Sequence, residues 1–236
     1  MINLKTNSKE LWRVLPEEHD KALYWLKKHF GGEDRYEMMR DDLLIRCRQA
    51  RWPIASEVVD YTSKEGNRWV CFEQATYYPE RHGSHCMPYA FCYYETAVSL
   101  GVFSLGFHSE NGRDEVGSIF IYTPHFFQRY CERMRVKGSP KGILMSFMKM
   151  SPLITTALLP KDEDGLQKVV VRFPGCVGHG IARRDHERVF EVRTLLTDGQ
   201  LSGKQSQDTQ ELREYGDYLK VVRGYTVFNN CKTIEL

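Results

Sequence analysis

Between residues 57 and 122 the chain runs through stretches dense in β-branched and aromatic residues, cut by short Gly and Asn turns. A chain written this way builds antiparallel sheet. The pattern predicts strands over 57–62, 68–78, 89–100, 101–108 and 118–122. Lys64-Glu65-Gly66-Asn67 and Asn111-Gly112 read as tight turns, and 79–88 reads as a loop. Tyr77, Tyr78, Tyr89, Phe91, Tyr93 and Tyr94 crowd two of these strands. Such a sheet is either a core or a stacking platform for single-stranded nucleic acid. Lys and Arg are nearly absent from the two strands, which favours core.

Composition narrows the class. The chain has 236 residues, 42% of them hydrophobic and 27% charged, enough for one or two globular domains with a core of their own. No apolar run approaches the roughly 18 residues that a membrane span needs, so no membrane partner is expected. Met1-Ile2-Asn3-Leu4-Lys5 lacks the charged-then-apolar pattern of a signal peptide. Seven cysteines, an odd number with no CxxC pair, point to reduced thiols and a cytoplasmic setting.

Helices flank the sheet in the sequence reading. Pro16-Glu17-Glu18 starts the first, Leu23, Leu26 and Phe30 form its stripe, and Gly31-Gly32 ends it. Tyr36, Met39, Leu43, Leu44 and Cys47 mark a second over 34–50. After Thr123, an N-cap followed by Pro124, helices are expected over 124–136 and 143–150. Strands follow at 168–173, 175–184 and 189–197, with loops at 161–165 and 199–210, a short helix at 211–219 and a last strand at 221–228. Gly175-x-x-Gly178-x-Gly180 lacks the strand-to-helix context of a nucleotide loop and reads as hairpin or bulge chemistry. The fold class is α+β: an N-terminal helix pair, an antiparallel aromatic-rich sheet, then a helix pair followed by a second antiparallel sheet. A soft division near residue 120 separates 1–120 from 121–236.

Charge is uneven along this order. Residues 1–120 hold 15 basic and 18 acidic side chains, and 121–236 hold 18 basic and 13 acidic. A basic second half suits nucleic acid or another polyanion. Within it, His125, Arg129 and Arg133 are four residues apart and share one helix face. An imidazole moves a proton near neutral pH, and guanidiniums hold phosphate oxygens in a bidentate way. The plainer reading is a solvated helix face with His125 near the helix start. His82, His85, Cys86 and Cys92, with Cys71 on the preceding strand, have zinc-type chemistry. Their spacing matches no standard zinc pattern, so no metal or other cofactor is expected and the segment reads as a surface loop.

Thr-x-His-x-x-x-Arg-x-x-x-Arg, opening a helix at Thr123, resembles the signature of the RelE/BrnT-like toxin superfamily of small ribonuclease-type domains. The resemblance covers residues 121–197, including the run Glu191-Val192-Arg193-Thr194-Leu195-Leu196. It implies a helical start packed on a curved antiparallel sheet that supplies basic and hydroxyl groups. By this resemblance His125, His179 and Arg193 form the catalytic set, and Arg129, Arg133, Arg183 and Thr194 hold phosphate. The expected function is an RNA- or phosphate-binding accessory protein of bacterial type, its ribonuclease-like domain active or degenerate. The alternative is a non-catalytic protein–protein interaction module that uses the aromatic sheet or the N-terminal helices.

Overall fold

The computed structural model describes residues 1–203 and 210, apart from 52, 79–82, 98, 111–112, 151–154, 162 and 174–175. The expected turn at Asn111-Gly112, helix over 211–219 and strand over 221–228 lie outside the described residues. The chain is α+β. Its helices are α1 Ser8–His29, α2 Glu33–Ala50, α3 Pro124–Met134 and α4 Pro140–Met150. Its strands are β1 Ile54–Ala55, β2 Val59–Thr62, β3 Arg68–Tyr78, β4 Gly83–Glu95, β5 Leu100–Glu110 and β6 Arg113–Tyr122, then β7 Thr155–Lys161, β8 Gln167–Phe173, β9 Cys176–Arg183 and β10 His186–Thr197. The chain forms two compact units, one of residues 1–2 and 13–93, the other of residues 3–12 and from Tyr94 onward. The expected division near residue 120 falls within β6, inside the second unit.

In the first unit β3 pairs with β1, β2 and β4, all antiparallel. The hairpin joining β2 to β3 turns at Gly66, whose φ of 79° favours glycine. Register places Trp69, Cys71, Glu73 and Ala75 on one face with Cys92, Ala90, Pro88 and Cys86. The helices pack on this face. From α1, Glu18 accepts from Asn67 Nδ2 at 2.8 Å and from Trp69 Nε1 at 3.2 Å. From α2, the Tyr36 hydroxyl donates to Glu73, and Arg40 Nε donates to the same carboxylate at 3.1 Å. Glu73 is fully buried. Burial raises its pKa, and the Tyr36 and Arg40 donors oppose that rise. On the other face Phe72, Tyr89 and Phe91 stack with ring centroids 5.1 to 6.5 Å apart and are buried, so these aromatics are core.

Two boundaries differ from expectation for identifiable reasons. Helix α1 starts at Ser8, not Pro16, because Asn7 Oδ1 caps it by accepting from Glu10 N at 2.9 Å. Pro16 then sits inside the helix, at the cost of one backbone hydrogen bond. Strand β4 extends back to Gly83 through Pro88, across the segment expected to be loop. Pro88 faces Glu73, whose N–H and C=O both point the other way, to Ser56. No N–H is required at that rung, so proline fits. The expected strand 89–100 is interrupted by a turn in which Thr96 N donates to Ser99 O at 2.7 Å.

In the second unit the strand order is β5-β6-β10-β9-β8-β7. All pairs are antiparallel except β6 with β10, which is parallel, so the sheet is mixed where antiparallel was expected. The chain leaves β6 through α3 and α4, then lays β7 to β10 inward from the sheet's far edge, and β10 arrives beside β6 pointing the same way. Strand β7 was not anticipated. Its Pro160 masks the strand pattern, yet it is an edge strand, where proline is tolerated. The glycine-rich run, expected as hairpin or bulge, lies in β9 opposite a bulge in β10: register slips between Val192 and Thr194 against Gly180 and His179. A Cβ on Gly180 would stand 2.3 Å from the Glu191 carbonyl oxygen and 2.8 Å from Val192 Cα.

Two substitutions test these supports. Glu73→Ala should destabilise the chain by about 3 kcal/mol, because it leaves Arg40 and Tyr36 without their buried acceptor. Urea denaturation measures it. Gly180→Ala should cost about 2 kcal/mol, since rigid backbone must yield to the added methyl, seen as a lowered midpoint in the same assay.

Candidate functional site

Helix α3 opens as the sequence requires. Thr123 is extended (φ −74°, ψ 161°), and its hydroxyl accepts from Phe126 N at 3.2 Å. Thr123 N in turn donates to Val192 O at 3.1 Å, tying the helix start to β10. Phe126, Phe127 and Tyr130 are buried, each at 1% exposure or less. They meet Phe147 of α4 edge to face at 5.1 to 5.9 Å, and Tyr122 on β6 lies 5.2 Å from Phe126 and 4.9 Å from Phe147. With these rings inward, His125 is exposed and Arg129 and Arg133 are part-exposed on the outer stripe. Arg129 donates to Glu132 at 2.7 Å on the surface, a pairing that holds it weakly. Arg133 Nη1 is buried without a hydrogen-bond partner.

The sheet residues expected to face that helix lie on the other side of the sheet. Register partners share a face, and faces alternate along each strand. Phe190, Val192 and, past the bulge, Leu195 pair with Ala182, Gly180 and Gly178. Phe190 stacks on Phe120 at 5.6 Å, and Val192 pairs with Tyr122, so this is the face that α3 and α4 cover. Glu191 pairs with Ile181 and Thr194 with His179 on the opposite face. Arg183 lies there too, bonded to Glu191 Oε1 at 2.7 Å, as does Arg193, bonded to Glu191 Oε2 at 2.7 Å. The structure therefore brings His125, Arg129 and Arg133 together on one side, and His179, Arg183, Arg193 and Thr194 on the other. No single phosphate or ribose can touch both sets.

Arg183 is held by the fold. It is 11% exposed and its partner Glu191 13%. Its Nη1 and Nη2 donate to the carbonyls of Thr6 and Leu4 at 2.6 and 2.7 Å, so it clasps the N-terminal strap, residues 3–12, to the sheet. Asp185 completes the clasp, accepting from Ser8 N at 2.9 Å and Ser8 Oγ at 2.6 Å at the start of α1. Trp12 stacks on His186 with centroids 4.7 Å apart. The Ser8 donors hold the Asp185 carboxyl below the usual range. An open groove of about 540 Å³ is lined by Lys161, Asp164, Gln167, Arg183, Arg184 and Glu187. Of its three bases, Arg183 is already paired to Glu191.

The expected surface loop at His82–Cys92 is mostly strand. His82 lies outside the described residues. His85 and Cys86 are consecutive in β4 and so point to opposite faces, and Cys86 and Cys92 stand roughly 20 Å apart along it. Cys71 and Cys92 are diagonal neighbours in the core, both free. Burial pushes the Cys71 and Cys86 thiols up to about 12, so both are held as protonated thiols in the core.

The strongest concentration of unbalanced charge is the α3–α4 hairpin. Residues 124–150 contain six Lys or Arg and one acid, Glu132. Beyond the expected Arg129 and Arg133, the sequence reading passed over Arg135, exposed at the helix C-cap with φ 53°, and exposed Lys137. A charge count over the segment would have found them, where a search for four-residue spacing did not.

Arg183→Gln should destabilise the chain by about 2 kcal/mol, measured by thermal melting, by removing the charge-assisted bonds to Glu191 and to the strap carbonyls while Arg193 still pairs Glu191. The strap should also depend on pH in a defined direction. A carboxyl with a lowered folded pKa contributes stability above its unfolded value, near 4, and loses it as pH falls further. Protection of the Ser8 amide from hydrogen exchange, relative to an unstructured peptide at the same pH, should therefore fall below about pH 4 in the native chain and be lost already at neutral pH in Asp185→Ala.

No protein-family model matches the chain, and comparison with curated proteins and with solved structures gives no significant match either.

Proposed function

We propose that the second unit binds RNA through the outer surface of the α3–α4 hairpin and acts as a non-catalytic accessory module. The observation that carries this reading is the hairpin's charge: six basic residues against one acid, over a layer in which Phe126, Phe127, Tyr130, Leu144, Phe147 and Met148 are buried. Cations arranged on a rigid helix neutralise phosphates and release counterions, which drives non-specific nucleic-acid binding. Arg129 and Arg133 keep the phosphate-holding role expected of them, and Arg135 and Lys137 extend it past the helix end. The resemblance of residues 121–197 to RelE/BrnT-like ribonuclease domains points to the same class of partner. The reaction of such domains does not follow, because an acid and a base on opposite faces of a sheet cannot serve one ribose.

Fluorescence anisotropy with a labelled RNA at about 50 mM salt tests this. The native chain should bind with an affinity that falls steeply as salt rises. Arg129→Glu combined with Lys137→Glu should weaken binding tenfold or more and lower the salt slope by about two. Near-ultraviolet circular dichroism checks that the variant is folded. Unchanged affinity in the folded variant overturns the assignment of the surface. RNA cleavage that disappears in His125→Ala overturns the non-catalytic part.

A further inference from the structure

We infer that the phosphates of the bound RNA sit at the C-terminal end of α3, on Arg133, Arg135 and Lys137, and that the chain keeps this end for binding at the expense of its own stability. The inference rests on the proposal that the α3–α4 hairpin binds RNA, and it fixes where on the hairpin the contact is made.

Arg133 carries the argument. It stands seven residues after Phe126 and three after Tyr130, so it rises at the margin of the buried face of α3. It also stands four residues after Arg129 and four before Lys137. Its side chain is part-exposed, yet Nη1 is shut off from water and has no hydrogen-bond partner among the described residues. A buried donor left unmet weakens the fold, and a native chain that retains one needs a reason to. A guanidinium in this state breaks no bond at Nη1 when it turns outward, and a phosphate gives it the acceptor it lacks. Arg129 is in the opposite position. It already donates to exposed Glu132 at 2.7 Å, so a phosphate there competes with a carboxylate and is repelled by it.

Arg135 is a second residue that the fold holds at a disadvantage. It ends α3 at φ 53°, in the left-handed region where glycine is usual. Arg51 ends α2 at the same φ, so the conformation alone marks no site. What distinguishes Arg135 is its place, exposed and two residues from both the unmet guanidinium and exposed Lys137. The carbonyls that end a helix act as about half a negative charge, which the three cations outweigh. Two unfavourable arginines within one turn, both bearing the charge that RNA requires, fit an end shaped for binding.

The test compares two charge-matched variants of the full chain, Arg133→Met with Arg135→Gly, and Arg129→Gln with Lys141→Gln, by anisotropy with the labelled RNA at about 50 mM salt. The first pair should weaken binding tenfold or more and the second about threefold. Without RNA, the first variant should melt no lower than the native chain and up to about 4 °C higher, because it sheds an unmet donor and a left-handed arginine. A loss of affinity in the first variant no greater than in the second overturns the inference and leaves the RNA-binding proposal standing. So does a first variant that melts lower than the native chain, since the fold then depends on these side chains. Failure of the native chain to bind at about 50 mM salt overturns the RNA-binding proposal itself, and the inference with it.

Discussion

Five aromatic rings, Tyr122, Phe126, Phe127, Tyr130 and Phe147, lock α3 and α4 onto one face of the second unit's sheet. That apolar contact decides where the charges of residues 124–150 go. Edge-to-face packing of rings this deeply buried stabilises the layer beyond the area removed from water. It leaves His125, Arg129 and Arg135 on the outer side. The basic surface is thus a consequence of the core beneath it. The same contact separates the α3 stripe from His179 and Thr194, because a sheet already covered by helices on one face presents its alternate residues to the other.

On that other face a part-buried ion pair holds the N-terminal strap. Arg183 and Glu191 lie on adjacent strands, nearly excluded from water, and the guanidinium uses its remaining donors on the Leu4 and Thr6 carbonyls. A buried charge pair stabilises only when its remaining hydrogen-bonding capacity is met. Here the N-terminal strap meets it, so the strap and the pair support each other. The first unit repeats the logic with a different cast. Glu73 on β3 draws in Tyr36 and Arg40 from α2, and Glu18 on α1 accepts from Asn67 and Trp69. In each case a carboxylate aimed into the core specifies which helix or segment docks there.

Much of the local structure was legible in the residues. The strand over 68–78 and the turn at Gly66 follow from β-branched runs and a glycine at positive φ. The start of α3 follows from Thr123 and Pro124. The glycine run around Gly180 follows from the need for close backbone approach at a bulge. The errors fell where one residue's usual meaning was overridden by its neighbours. Pro88 reads as the end of a loop, yet it sits at a strand rung that needs no N–H. Pro16 reads as a helix start, yet Asn7 had already capped the helix.

The sequence by itself determined most of the elements and the basic bias of the second half, because helix and strand periods, caps and charge are local properties of the chain. It also determined that His125, Arg129 and Arg133 share a stripe, since four-residue spacing suffices for that. Only the tertiary structure decided that His179, Arg183, Arg193 and Thr194 lie across the sheet from them. Which face a side chain occupies depends on strand pairing, on the bulge between Val192 and Thr194, and on the parallel seating of β10 beside β6. These are long-range choices, made when the aromatic layer closes, and a period-two pattern carries no information about them.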